Sequence, residues 1–298
     1  MSNELFPLLL FIGIGAMIDF GPLLEKPWLM LFGAAAQFGI FVTLVLAGLF
    51  FDLPDAASIA VIGAADGPTA IFVANTLGSK YLGAIMVAAY SYMALVPIVQ
   101  PAVVKLCTTK KERRIKMHYS AKQVSRLTRI LFPIVVALVA GLIAPASLSL
   151  VGMLMFGNLI RECGILKSLS ETAQNAFSNI ITLLLGITIA SQMKAEQFVQ
   201  WETLMIMGLG LFAFIFDTVG GVMCAKLMNL FSKEKINPMV GAAGISAFPM
   251  AARVVEKMGI KEDPSNHLLM HAVGANVSGQ IASAIVGGLI IGLVQALL

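Results

Sequence analysis

Apolar residues come along this chain in long runs separated by short polar breaks, and the runs are too long for a soluble core. Trp28 to Phe50 reads as a full-length span, rich in Gly and Ala, that Asp52-Leu-Pro-Asp55 ends. Tyr81 to Leu106, Phe177–Met193 and Glu202–Leu230 read as three more, the last interrupted by Asp217. A helix needs ~20 consecutive apolar residues to cross a bilayer, which is the scale of these runs. Leu5 to Ile18 is shorter and stops at Asp19-Phe-Gly-Pro22. Leu131–Ala144 and Ser147–Ile160 pair around Pro145, and a polar connector follows from Arg161 to Asn175. The final run from Leu268 is expected to be interrupted at Gly274-Ala-Asn-Val-Ser-Gly-Gln280. The predicted fold class is an all-α, polytopic membrane protein.

Two apolar segments carry internal breaks. In Gly63-Ala-Ala-Asp-Gly-Pro-Thr-Ala70, Asp66 stands in a run otherwise free of charge from Ala56 to Ser79, and Gly67 and Pro68 interrupt a helix where the charge sits. An acid at the bilayer centre costs roughly 2.5–3.5 kcal/mol on insertion scales, and such residues are functional by default. Broken backbone at that depth is tolerated where it lines a cavity or is buried in protein. The plainer alternative is a charge in a surface loop between two short helices. The second break, opened by Asn237-Pro238, runs from Val240 to Val255 and contains Gly241, Gly244, Ser246, Pro249 and Arg253.

The two breaks overlay: Ile62-Gly-Ala-Ala-Asp-Gly-Pro-Thr-Ala-Ile-Phe-Val-Ala74 on Val240-Gly-Ala-Ala-Gly-Ile-Ser-Ala-Phe-Pro-Met-Ala-Ala252. Weak, collinear repeats with interrupted helices at matching positions characterise transporters. The expected organisation is a first transmembrane repeat at 1–104, a basic linker at 105–129, a central helix pair and connector at 130–174, and a second repeat at 175–298. Re-entrant breaks make the two repeats inverted, and the loop charges then agree in sidedness. The net charge is +4, and the excess is concentrated between Lys105 and Arg129, where nine Lys and Arg stand against Glu112. That pattern holds a loop on the cytoplasmic side and points away from a nucleic-acid partner. Lipid headgroups or an acidic partner are further readings of the same loop.

In the inverted arrangement the polar residues of the breaks converge: Asp66 and Thr69 from one, Asn237 and Ser246 from the other, Tyr92 and Asn276 from the spans that follow. Carboxylate, hydroxyl, amide and backbone oxygens form a ligand set for a hard monovalent cation such as Na⁺. Tyr90 and Tyr92 also read simply as interhelical packing residues. Arg253, at the inner end of its hairpin, suits recognition of an anion by its bidentate fork, or snorkels at the interface. Cys107, Cys163 and Cys224 are scattered singly, and His118, His267 and His271 form no metal motif. The chain opens at Glu4 without a basic n-region, so no signal peptide is expected.

The strings Gly63-Ala-Ala-Asp-Gly-Pro-Thr, Ala89-Tyr-Ser-Tyr-Met-Ala-Leu-Val-Pro, Asn237-Pro-Met-Val-Gly-Ala-Ala-Gly-Ile-Ser-Ala, Pro249-Met-Ala-Ala-Arg-Val, Thr172-Ala-Gln-Asn175 and His271-Ala-Val-Gly-Ala-Asn-Val277 resemble the β subunit of sodium-pumping biotin-dependent decarboxylases. The family acts on oxaloacetate, methylmalonyl-CoA or glutaconyl-CoA. The resemblance implies an inner-membrane, multi-pass subunit that decarboxylates carboxybiotin, exports Na⁺ and consumes a proton from the far side. It implies a carboxytransferase and biotin-carrier α subunit, a small membrane γ or δ subunit, surrounding lipid and a homo-oligomer. Carried onto this sequence, Asp66, Tyr92 and Arg253 are the catalytic residues. Asn237, Gly241 and Arg253 form the carboxybiotin region, and Asp66, Thr69, Ser246 and Asn276 hold Na⁺. Members of the family carry further N-terminal hydrophobic sequence that this chain lacks. A Na⁺-coupled secondary transporter of a small anion fits the repeats and broken helices equally well, and a third reading is a non-catalytic membrane scaffold for a soluble enzyme.

Overall fold

A computed structural model describes residues 5–119, 124–192 and 200–298. Glu4, Lys122 and the expected span end at Met193 lie outside the described residues. Every regular element described is helical, and six helices are long and apolar enough to cross a membrane. After α1 (Leu5–Met17), the first of the six is Pro27–Ala47, made of a 3₁₀ turn, α2 (Met30–Ala35) and α3 (Phe38–Ala47). The first broken segment is α4 (Leu53–Ala60), a 3₁₀ turn at Val61–Ala64 and α5 (Gly67–Thr76). Then come α6 (Leu82–Cys107), α7 (Arg126–Ile143) and α8 (Leu148–Glu162). A span at Lys167–Ser191 combines α9 (Lys167–Thr172), a π turn and α10 (Ser178–Gln192), and α11 (Trp201–Phe231) follows. The second broken segment is α12 (Pro238–Ala242) and α13 (Met250–Glu262), and α14 (Leu269–Leu297) closes the chain.

These spans differ in how far protein covers them. Only 11% of the apolar window of α7 is buried, and it turns Leu131, Val135, Leu138 and Leu142 outward, as a lipid-facing helix does. For α14 the figure is 72%, so this helix is the pillar of the molecule. In lipid, helices associate through close packing of small residues, and α14 is built for it. A Cβ on Gly279 would lie 2.1 Å from the carbonyl oxygen of Gly244 in the second break.

The expected interruption of the last run at Gly274–Gln280 is absent, and α14 is continuous for 29 residues. Glycine weakens a helix interior by only about 1 kcal/mol, and packing around α14 outweighs that. Asp217 does not interrupt α11 either; its carboxylate reaches sideways to another helix. The span expected at Trp28–Phe50 is instead split at Ala36–Gln37, where the Gln37 side chain turns back to donate to the Gly33 carbonyl at 3.0 Å. The polar connector expected through Asn175 ends at Leu166. Polar residues alone do not stop a helix, and the turn sits at Gly164, whose φ is +71°. The helix pair around Pro145 and both broken segments appear where the polar pattern places them.

The stretch after α6 is stitched to the end of α13, a structural role that topology alone does not require. A capping box formed by Thr109 and Glu112 starts a short helix, Lys110–Arg113. The Arg113 guanidinium pairs with Glu262 at 2.7 Å with both side chains largely covered, and Lys116 pairs with Asp263 at 3.1 Å. Hydrogen bonds from Ser265, then Lys116, hold the Asp263 carboxyl down to about 2. Arg113 likewise keeps Glu262 below its ordinary range.

Candidate functional site

At the first break the backbone takes an unusual path. Ala65 adopts φ +53°, a left-handed conformation that costs an L-residue roughly 1–2 kcal/mol. This turn presents the carbonyl of Ala64 to the other half of the molecule, where the backbone N–H of Ser246 donates to it at 3.3 Å and the Ser246 hydroxyl donates as well. The two polar breaks therefore meet in space, as the overlay of their sequences predicts.

Asp66 follows as the N-cap residue of α5. Its neighbour Pro68 has no amide to offer, and a helix N-terminus favours a negative charge beside it. The carboxylate is 3% exposed and makes no ion pair among the described residues. Its Oδ2 accepts from Thr69 Oγ1 at 2.6 Å and from Gln280 Nε2 at 2.9 Å. Ser283 faces the same carboxyl while its hydroxyl donates to the Gln280 carbonyl at 3.1 Å. The ring of Tyr90 covers Gly67 so closely that a Cβ there would lie 2.8 Å from it, and the Tyr90 hydroxyl is buried without a partner.

The pillar helix also holds the second break. Asn276 Nδ2 donates to the Ile245 carbonyl at 2.6 Å, while its Oδ1 is buried and has no partner among the described residues. Buried polar atoms are nearly always satisfied, so this orphaned acceptor marks room for a donor or a cation. Asn276, Gln280 and Ser283 are spaced i, i+4, i+7, which puts them on one stripe of α14. Taken as an interruption, Gly274–Gln280 hides Gln280 and Ser283, which only a continuous helix brings into line. Read as a helix, the same letters show a polar line in an apolar span.

Asp66, Thr69, Ser246 and Asn276 are thus gathered by the two breaks and α14. The other expected residues lie elsewhere. Tyr92 donates its hydroxyl to the Met207 carbonyl on α11 and makes no hydrogen bond to Asp66. Asn237 is not at the convergence of the breaks: it caps α12, accepting from Met239 N at 3.1 Å and donating to the Arg113 and Ile115 carbonyls. Gly241 is a packing contact, since a Cβ on it would lie 2.1 Å from the Gly221 carbonyl oxygen. Arg253 is exposed and makes no ion pair among the described residues. It lines a cavity of about 360 Å³ between α6 and α13 with Lys105, Lys257, Lys261, Pro97 and Pro101.

Hydroxyl and amide side chains surround Asp66, and no cluster of three His, Cys, Asp or Glu side chains exists among the described residues. Such a set suits a hard, weakly held cation rather than a transition metal.

Residues 1–294 match the family described as the Na⁺-transporting oxaloacetate decarboxylase beta subunit. The methylmalonyl-CoA decarboxylase subunit beta of Propionigenium modestum is 54% identical over 291 residues, 97% of this chain and 73% of that protein. The oxaloacetate decarboxylase beta chain of Klebsiella pneumoniae is 52% identical over 304 residues, 100% of this chain and 70% of that protein. The methylmalonyl-CoA decarboxylase subunit beta of Veillonella parvula is 51% identical over 289 residues, 97% and 77% respectively. On its membrane helices, its two meeting breaks and these relatives, the chain belongs to the family of Na⁺-transporting oxaloacetate decarboxylase beta subunits.

Proposed function

We propose that this chain is the subunit of a decarboxylase sodium pump that releases CO₂ from carboxybiotin and couples this step to Na⁺ export and proton uptake. The observation that carries the reading is the Asp66 carboxyl, buried without a counter-charge and braced by donors from its own hairpin and from α14. Na⁺ is the cargo, held by Asp66, Thr69, Ser246 and the free Oδ1 of Asn276. A buried carboxyl without a cation favours its protonated form, and an adjacent cation favours the ionised one. Na⁺ entry therefore displaces a proton from Asp66, and Na⁺ release recovers one.

Arg253 serves as the recognition group for the carboxylate of carboxybiotin, in a groove whose cations make no ion pair among the described residues. Breaking the N–CO₂ bond consumes one proton at the ureido nitrogen and yields CO₂ and biotin. Tyr92 is the donor that the family resemblance implies. Its hydroxyl is engaged with Met207, so donation requires that bond to open. Asn237 and Gly241 act on carboxybiotin indirectly, by fixing the hairpin that bears Arg253.

The basic face carrying Lys105, Arg253 and Lys261 is cytoplasmic by loop charge, where a carboxytransferase and biotin-carrier subunit delivers its cargo. A small membrane γ or δ subunit completes the assembly, in the inner membrane. The two breaks belong to inverted repeats over 1–104 and 175–298, joined by the linker at 105–129 and the helix pair and connector at 130–174. The test is paired measurement of CO₂ release from free carboxybiotin and ²²Na⁺ uptake in proteoliposomes bearing the assembled complex. Asp66→Asn is expected to abolish both. Retained Na⁺-dependent decarboxylation in that variant refutes the assignment.

A further inference from the structure

A second acid lies within the membrane portion of the fold, on the opposite side of the first break from the α14 stripe. Asp217, in the middle of α11, is 0% exposed and makes no ion pair among the described residues. Its Oδ1 accepts from the backbone N–H of Ile40 at 3.2 Å, and the Gly39 N–H points to the same carboxyl. These are the second and third residues of α3, the half-helix that restarts after the split at Ala36–Gln37. The side chain of Gln37, at the N-cap, is turned back to Gly33 and caps neither amide, while its backbone carbonyl shares the Ile40 N–H at 3.1 Å. Asp217 therefore caps α3 from another helix.

Capping uses one oxygen and leaves the other. Oδ2 is buried with no hydrogen-bond partner among the described residues. It points at the 3₁₀ turn that leads to Asp66: a Cβ on Gly63 would lie 2.8 Å from it. Thr43, one turn along the same face of α3 as Gly39, is also 0% exposed, with its hydroxyl unpartnered. An uncompensated carboxylate is not stable in such surroundings; it takes up a proton or binds a cation.

We infer that Asp217 is a second monovalent-cation site, occupied by a proton or by Na⁺ at Oδ2, separate from the Asp66 site and separated from it only by the turn Gly63–Ala65. A carboxylate that merely caps a helix explains Oδ1 but leaves Oδ2 without a function.

The test uses the complete decarboxylase complex in detergent and in proteoliposomes. Asp217→Asn keeps an oxygen for the α3 amides and removes the charge. Equilibrium ²²Na⁺ binding and the infrared band of protonated carboxyl groups are read in wild type and variant. If the occupant is Na⁺, the variant binds one Na⁺ fewer per chain while Thr69→Val, at the other site, retains the Asp217 ion. If it is a proton, Na⁺ stoichiometry is unchanged and a protonated-carboxyl band is lost. An unchanged Na⁺ count together with an unchanged infrared spectrum overturns the inference. Should Asp217→Asn fail to assemble, Asp66→Asn decides. A residual bound Na⁺ or a residual Na⁺-insensitive protonated carboxyl supports a second site, and the loss of both signals overturns it. Failure of the Asp66 assignment shows separately, as Na⁺-dependent turnover that survives Asp66→Asn.

Discussion

Gln280 offers the sharpest test of the site, because it contributes to Asp66 from 214 residues away through a single atom pair. Replacing it with Leu keeps the bulk of the side chain in α14 and deletes the Nε2 donor at 2.9 Å from Asp66 Oδ2. A hydrogen bond to a charged group contributes roughly 1.5–3 kcal/mol. In the Na⁺-bound state Asp66 is ionised, and in the proposed Na⁺-free state it is protonated, so nearly the whole loss falls on the Na⁺-bound form. At 1.4 kcal/mol per decade, the expected effect is a Na⁺ half-saturation concentration raised roughly 10- to 100-fold. Maximal decarboxylation at saturating Na⁺ is expected to change less. Thr69 still donates to the same oxygen at 2.6 Å, so the site is weakened rather than abolished. The assay is the Na⁺ dependence of CO₂ release by the reconstituted complex, with detergent thermal stability as a control for folding. A half-saturation value within twofold of wild type, in a variant of unchanged stability, would show that the Gln280 contact does not serve ion binding.

Thr69→Val is isosteric and removes the other donor to Asp66, so it is expected to raise the Na⁺ requirement about tenfold, while Thr69→Ser restores it; equal behaviour of the two variants in the same assay rejects the role of the hydroxyl. At Ala65, a left-handed residue, Ala65→Gly is expected to leave thermal stability about unchanged and Ala65→Val to cost roughly 1–3 kcal/mol, measured by melting in detergent; tolerance of Val is the contrary result. The docking of the 110–119 stretch on α13 rests on Glu262 and Asp263, both held below their ordinary range. Carboxyls held low stabilise the docked form above their ordinary range of about 4 and lose that contribution as pH falls toward 2. Protection from hydrogen exchange in this stretch, taken relative to the intrinsic rate at each pH, is therefore expected to be flat from neutral pH to about 5 and to fall in acid. Glu262→Gln is expected to raise exchange there at neutral pH, and an unaltered profile counts against the docking.

How much of this was legible in the letters varies with the kind of signal. Asp66, Gly67 and Pro68 are unmistakable, because a charge and a helix breaker together have few uses in an apolar run. Ser246 can be set beside this break from the letters because the repeat supplies the alignment, and it meets the Ala64 carbonyl there. The Asn276–Gln280–Ser283 stripe was not seen as such. Glycines at 274 and 279 look like breaks, and only the packing of neighbours onto α14 shows that they are contact points. Tyr90 and Tyr92 illustrate a different limit: two residues apart on a helix, they face directions about 200° apart, and nothing local says which one faces the break. Asn237 was drawn to the ion site by its neighbours in sequence, whereas its side chain is consumed by the carbonyls of Arg113 and Ile115.

The seam between the breaks has a mechanical consequence. Where they touch, the two breaks are joined by Ser246 lending one hydroxyl and one amide to the Ala64 carbonyl, each such bond contributing about 1 kcal/mol net. A fastening of that kind behaves as a latch rather than a weld: it opens without unpacking a helix face and recloses in register. On the closing helix, Gly279 brings backbone against the backbone of Gly244 beside this joint, so the spacing there is set by the path of the chain and leaves no room for a side chain.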